Sequence, residues 1–360
     1  MRTVIILILL HLCSCSKVCS QETRETLIAF YNVENLFSPH RAELPEPSNS
    51  VYDQPEWNLR RYNTKIRNLG RVIRSLGGLH EKPGPDLLGV AEVENAGVLQ
   101  DLIHHDALQG GDYEIIHKDS PDHRGIDVAL LYRRSSFIPH HTETHTLRMY
   151  HEEGYRLYTR DLLVVSGYLG EELIHILINH WPSRRGGKEQ SARLRSLAAK
   201  LNRRAIDSIK RLYSEPFLIA MGDFNDDPTD PSMYYGLRGR NKASDSLETL
   251  FNPMLELFRK GYGSLAYRDR WHLFDQILLS GKKLGNQEHS YAYKKAGIFM
   301  PAWLRSSRGA YRGYPLRTYI GRTYTGGYSD HFPVYVLFTA SEHDPLVEPK
   351  VVGDSGKNEN

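Results

Sequence analysis

Eight runs rich in Val, Ile and Leu recur along the chain: Leu27 to Tyr31, Leu87 to Ala91, Val128 to Tyr132, Leu162 to Ser166, Leu173 to Ile178, Phe217 to Met221, Ile277 to Leu279 and Val334 to Phe338. Short unbroken apolar runs of this kind predict strands covered on both faces. Two stretches have a helical period instead. Tyr62, Ile66, Leu69, Ile73 and Leu76 repeat at spacings of three and four and stop at Gly77-Gly78, the expected left-handed helix terminus. Leu194, Leu197, Leu201, Ala205, Ile209 and Leu212 form a second stripe, with Arg193, Lys200, Arg203, Arg204 and Arg211 off it. Many strands with interspersed helices imply α/β layers. Residues 38–58, rich in Pro, Ser and charge, read as a surface loop, and the aperiodic tail 341–360 as disordered.

Polar residues at the ends of these runs point to chemistry. Asn32 closes the first run, Glu92 the second and His180 a later one, while Asp223 and Asn225 follow Phe217 to Met221. In layered α/β proteins, strand ends on one edge converge on a ligand-binding crevice. The segment Gly222-Asp223-Phe224-Asn225-Asp226-Asp227-Pro228 sets a carboxylate and an amide two residues apart, and its glycine permits close backbone approach. The same residues favour a turn. Glu92 can hold a hard cation through oxygen, or stand as a solvated carboxylate. His331, in Ser329-Asp330-His331 before the last strand, can contact phosphate or move a proton near neutral pH, with Asp275 as the carboxylate that fixes its tautomer. His180, ahead of Arg184-Arg185, can bind phosphate or cap structure. His140, His141 and His145 have a zinc-like spacing but no supporting ligand set.

The first twenty residues set Arg2 before the apolar run Val4 to Leu10 and read as a secretory signal. All 3 cysteines (Cys13, Cys15 and Cys19) lie in it, so a cut after Ser20 leaves a mature chain without cysteine, whereas a lipobox-like cut before Cys15 leaves a lipid anchor. The expected location is exported, either secreted or periplasmic, with an outer-membrane lipoprotein as the alternative. At 40% hydrophobic and 25% charged, most of the chain is not disordered, and no linker splits residues 21–340. Removing residues 1–20 leaves 44 basic residues (46 minus Arg2 and Lys17) against 43 acidic, so net charge does not indicate a partner. The distribution is more informative. Arg184 to Arg211 holds ten Lys/Arg and two acids, and Tyr291 to Arg322 holds seven Lys/Arg and no acid.

Taken in order, Asn32, Glu92, His180, Asp223-Phe224-Asn225, Asp275 and Ser329-Asp330-His331 resemble the endonuclease/exonuclease/phosphatase superfamily, over about residues 25–340. Phe30-Tyr31-Asn32-Val33-Glu34-Asn35-Leu36-Phe37 resembles the opening strand of its secreted bacterial members. The resemblance implies a four-layer sandwich, two mixed sheets face to face with helices outside. It implies that Asn32 and Glu92 hold Mg2+ (Mn2+ or Ca2+ as alternatives) with help from Asp330. By the same resemblance Asp223 orients and deprotonates the attacking water, Asn225 steadies water or phosphate, and His331 and His180 bind phosphoryl oxygens. Arg124 and Asp127, in Arg124-Gly125-Ile126-Asp127, and Arg160, in Thr159-Arg160-Asp161, resemble phosphate-rim segments, and Arg184 is placed with them at the substrate.

The expected activity is metal-dependent phosphodiester hydrolysis by in-line attack of an activated water, with nucleic acid as substrate. The basic and aromatic mixture of Tyr291 to Arg322 suits backbone phosphates and stacked bases. The alternatives are a phosphatase or sphingomyelinase-type phospholipase, acting on small phosphoesters, phosphoinositides or phospholipids, and an inactive phosphate-binding protein on the same fold. A monomer without an obligate protein partner is expected.

Overall fold

All eight apolar runs lie in strands, and the strands sort into two large mixed sheets. The computed structural model describes residues 24–39, 56–151, 153–244, 246, 248–280, 284 and 291–340. The proposed signal with its cysteines, most of the 38–58 loop and the 341–360 tail lie outside the described residues. The chain begins the first sheet with β1 (Arg24–Leu36), β2 (Leu87–Val93), β3 (Tyr113–His117) and β4 (Asp127–Arg133). It then builds the second sheet from β5 (Phe137–His145), β6 (Leu162–Leu169), β7 (Glu172–His180), β8 (Phe217–Asp223), β9 (Gly239–Arg240), β10 (Leu250–Phe251) and β11 (Asp275–Ser280). Finally it returns to the first sheet with β12 (Tyr291–Ile298) and β13 (Val334–Ala340). The strand orders are β12-β13-β1-β2-β4-β3 and β9-β10-β11-β8-β7-β6-β5.

Side-chain alternation makes the four layers. Ile28 and Phe30 of β1 meet Ile176, Ile178, Ile219 and Met221 of the other sheet between the two sheets. Leu27, Ala29, Tyr31 and Val33 point outward to α1 (Leu59–Leu76) and α2 (Ala96–Ile103). Leu177, Leu218 and Ala220 point the opposite way, to α3 (Lys188–Leu212). The sheets approach closely at Gly89, where an added Cβ would lie 3.0 Å from both Met221 Sδ and a Phe30 ring carbon. Each sheet has a parallel pair near its middle, β1 with β2 and β7 with β8. The C-terminal ends of these pairs bring Asn32 level with Ala91 and Asp223 level with His180.

Three expectations change. Gly77 has φ −58°, not a left-handed conformation, and the chain continues into a short 3-10 turn at Gly77–Leu79. Its glycine is needed for space, since a Cβ there would lie 1.9 Å from the Lys82 carbonyl oxygen. The stripe on α3 is rotated from the one anticipated: Leu212 is exposed, while Arg195, Asn202 and Arg203 are buried. An ion pair with Asp226 and a hydrogen bond to Asn179 carry the first two inward. Several aromatics of Tyr291 to Arg322 are consumed by packing. Tyr291 and Tyr293 lie against Phe338, and Trp303 and Tyr319 pack on the α1 side, where Arg71 caps Trp303 at 4.3 Å.

A buried polar knot fixes the start of β2. The Asp86 carboxylate accepts from the Leu27 amide, Lys82 Nζ, Ser136 Oγ and His80 Nε2 at 2.6 to 3.1 Å. Burial opposes its ionisation, but His80, Lys82 and Ser136 outweigh this and hold the carboxyl well below the usual carboxylate range. A depressed carboxyl contributes stability that is present above its unfolded pKa of about 3.9 and is lost as pH falls below that value. Asp86→Asn is therefore expected to cost on the order of 3 kcal/mol at pH 7. Urea denaturation from pH 7 to pH 2 should give a shallower loss of stability in the variant than in the wild type, and parallel curves would refute the assignment.

Candidate active site

The ends of the two parallel pairs face one another across the gap between the sheets. Asn32, 1% exposed, donates from Nδ2 to Asp223 Oδ2 at 3.0 Å, a hydrogen bond that spans both sheets. Asp223, 2% exposed, also accepts from the Asn225 amide at 3.0 Å. His180 Nε2 lies 3.6 Å from Asp223 Oδ2 and 3.8 Å from Glu92 Oε1. On the other flank His331 Nε2 lies 3.9 Å from Asp223 Oδ2, while its Nδ1 pairs with Asp275 Oδ2 at 2.6 Å. Ser329 Oγ donates to the Asn32 carbonyl and accepts from the His331 amide, anchoring the last motif to the first strand.

Local backbone explains how these groups are aimed. Glu34, Asn35, Glu92 and Asn225 all have positive φ, between 49° and 66°. For residues with a Cβ this is an unfavourable region, costing of order 1–3 kcal/mol each, and it persists only where surroundings impose it. Glu92 falls at the irregularity between Ala91 and Val93 in β2, and such bulges re-aim side chains. Its carboxylate turns to accept from the Asn35 amide at 3.0 Å and lies 3.4 Å from Arg124.

Electrostatics separate the roles open to these groups. Burial and the Asp275 carboxylate push Asp223 up to about 7, with His331 and the Asn225 and Asn32 hydrogen bonds pulling back. Burial, then Arg160, Arg124 and His331, hold His180 well below its usual range, which favours the neutral ring. His331 is the opposite case: although burial opposes its charge, Asp275 foremost, then Asp330 and Asp223, keep it well above the usual histidine range.

The donors available to a cation are oxygens. Glu92, Asn32 and Asp223 offer carboxylate and amide oxygens at the meeting point of the sheets, a set that suits a hard divalent ion. Asp330 has one oxygen committed to Arg317 at 2.5 Å; burial opposes its charge, but Arg317, His331 and Lys65 hold it below its usual range. Asp223, Asp275 and His331 also cluster closely enough to share an ion, but the 2.6 Å His331–Asp275 bond makes that pair a charge-orienting unit. A separate group, His117, Asp119 and Asp127, lies near the end of β3.

The remaining rim residues divide. Arg124 is at the site, donating to Asn35 Oδ1 at 2.6 Å beside Glu92. Arg160 is a brace behind it. Its nitrogens donate to the His180 carbonyl, the Trp181 carbonyl and Asp122, leaving no free cation to face substrate. Arg184 holds the 225–230 turn through the Asn225 carbonyl, Asp226, Asp227 and Asp230. Asp127 accepts from the Ser120 amide at 2.9 Å and pairs with His117 at 3.0 Å. Sequence reasoning missed Trp181, whose carbonyl receives Asn225 Nδ2 at 3.0 Å, and Trp271, which extends an aromatic row from Phe332. No periodicity marks either residue. Trp181 could have been found only as the neighbour of His180.

A family model described as Endonuclease/Exonuclease/phosphatase family matches residues 27–340. No curated protein matches the chain. Among solved structures, the chain is similar to TDP2 of D. rerio complexed with single-strand DNA product, at 14% identity over 87% of this chain and 98% of that one, TM-score 0.51. A mannosyl-6-phosphatase of Bacteroides thetaiotaomicron is 18% identical over 87% of this chain and 99% of that one, TM-score 0.51. The human Nocturnin catalytic domain with bound sulfate is 16% identical over 88% and 95%, TM-score 0.50. At these identities the likeness is one of fold.

Proposed function

Because the chain belongs to the endonuclease/exonuclease/phosphatase family, a family of phosphoesterase fold, we propose that it is a divalent-metal-dependent phosphodiesterase acting on nucleic acid. The observation that carries the hydrolase reading is Asp223, buried where the sheets meet and flanked by a neutral and a charged histidine. A base near the working pH is the most effective one, and Asp223 is pushed up to about 7. In this reading Asp223 takes the proton of the attacking water, and Asn225 holds that water or a phosphoryl oxygen. His331, oriented by Asp275, presents a positive N–H to the phosphoryl oxygens and can release its proton to the departing oxygen. Neutral His180 donates a hydrogen bond to the same group. Glu92 and Asn32, with Asp223 adjoining, would hold the cation, and Asp330 would act at most through its second oxygen. When bound, a divalent cation such as Mg2+ neutralises charge growing on the phosphate and the leaving oxygen.

Nucleic acid is favoured over a small phosphoester by an aromatic row beside His331. Trp271 stacks on Phe332 at 6.1 Å with 15° between planes, then meets Tyr314 at 5.8 Å, which meets Tyr311 at 5.8 Å. Trp271 and Tyr311 are exposed at 36% and 44%, and Arg270 and Arg312, also exposed, neighbour them in sequence. Exposed rings with guanidinium groups suit successive bases and their phosphates, each stacked base contributing roughly 1–3 kcal/mol. The D. rerio TDP2 complex with single-strand DNA product is a structural precedent for such a ligand on this fold. Reading residues 1–20 as an export signal places the substrate outside the cytoplasm.

The test compares single-stranded DNA, RNA, a phosphoinositide, sphingomyelin and a small chromogenic diester, each with Mg2+ or EDTA. Trp271→Ala should raise KM for DNA by about one to two orders of magnitude while leaving the chromogenic diester unaffected. If DNA and RNA resist cleavage while a phosphomonoester or lipid releases phosphate or headgroup, the substrate reading fails.

A further inference from the structure

A second cationic site lies on the outer face of the second sheet. A cavity of about 720 Å³ opens between α3, the segment around Leu147 and the turn around Gly236. Its walls carry Arg148, Lys200, Arg203, Arg204 and Arg238, and Leu147 and Leu197 contribute apolar surface. It is separate from the active site. The start of α3 is tied to the 225–230 turn by Lys188 and Asp230, whereas Arg203 stands about 22 Å further along the helix.

Arg203, in its wall, is the unusual feature. The Arg203 side chain is only 10% exposed, yet its Nε and Nη1 are buried without a hydrogen-bond partner among the described residues. Only its Nη2 is engaged, 3.2 Å from Asp207 and 3.8 Å from Glu248. Glu248 also serves Arg238 and Lys210, and both carboxylates are at least half exposed on the rim. Among the described residues, five cations in the walls thus face two carboxylates, and Lys200, Arg204 and Arg148 have no ion pair. Burial lowers the basicity of Arg203, Asp207 partly restores it, and Arg238 lowers it again. Lys210 is lowered likewise by burial and by Arg203. A buried guanidinium with open donors, crowded by like charge, is stabilised by an anion that accepts from it in the fork geometry that carboxylate and phosphate oxygens provide.

We propose that this cavity is a non-catalytic site for a phosphorylated small molecule, whose phosphate sits on Arg203 and Arg238 and whose ring or apolar body rests on Leu147 and Leu197. The volume is in the range of small-molecule pockets, and the mixture of convergent donors with an apolar wall matches a phosphate joined to a less polar body.

Calorimetric titration of the full mature chain in EDTA, with inorganic phosphate and with adenosine monophosphate, tests this without turnover, so its failure leaves the hydrolase reading untouched. Adenosine monophosphate should bind saturably and more tightly than phosphate. The double variant Lys200→Glu/Arg204→Glu, at exposed positions, should weaken binding at least tenfold while hydrolysis of the chromogenic diester is unchanged. Arg203→Lys, which keeps the charge but loses the fork, should weaken it less than Arg203→Met. Absence of saturable binding, or equal affinity in the double variant and wild type, overturns the proposal. Phosphate binding as tightly as the nucleotide overturns the role of the apolar wall.

Discussion

Asp223→Asn is expected to lower kcat on single-stranded DNA by roughly 10²- to 10⁴-fold, the contribution of a positioned general base. The amide keeps the shape of the carboxylate and can still accept from Asn225, so the loss should fall on kcat and leave KM near its original value. Stability should move the other way. Burial and the nearby Asp275 carboxylate already disfavour charge at this position, so a neutral amide removes a cost, and the melting temperature should hold or rise. An inactive variant that is also less stable would point to a structural role for Asp223. A variant with full activity would remove it from the mechanism.

The second large effect is expected at Glu92. Glu92→Gln keeps side-chain length and the acceptor for the Asn35 amide but removes the negative charge that a hard cation needs. The Mg2+ concentration for half-maximal activity should rise by about 10- to 100-fold, with a fall in rate that extra metal restores only in part. Arg124 sharpens the test. It lies 3.4 Å from Glu92, so Arg124→Gln should tighten metal binding if Glu92 is a ligand, by releasing the carboxylate from a competing cation. A Mg2+ titration curve identical in wild type and Glu92→Gln would exclude Glu92 as a ligand.

The central strands were legible in the sequence because both their faces are covered, which leaves unbroken apolar runs. The outer strands were not. Of β3, β5 and β12, β5 is mostly exposed, and the other two are half-covered, so polar residues interrupt each of them. The convergence of Asn32, Glu92, His180 and Asp223 could be read because each ends an otherwise apolar segment. What could not be read was how a charge is used. Arg160 and Arg184 have the same composition signature as Arg124, yet backbone carbonyls and acids occupy them. Trp271 sits among Arg268, Asp269 and Arg270, where composition suggests an ordinary surface turn. The left-handed backbone at Glu92 and Asn225 was also invisible, because it is imposed by contacts from distant strands.

The return of the chain to the first sheet also governs when the candidate site is complete. His331 arrives just before β13, which lies between β12 and β1, and Ser329 bonds to the Asn32 carbonyl across 297 positions of sequence. Contacts this remote pay their loop-closure entropy late, so the site is among the last features to assemble during folding. A chain halted before residue 329 can form both inner strand pairs and still lack the Ser329 and His331 contacts. The two sheets alone therefore do not complete the candidate site, which also needs the segment carrying Ser329 and His331 to dock on β1.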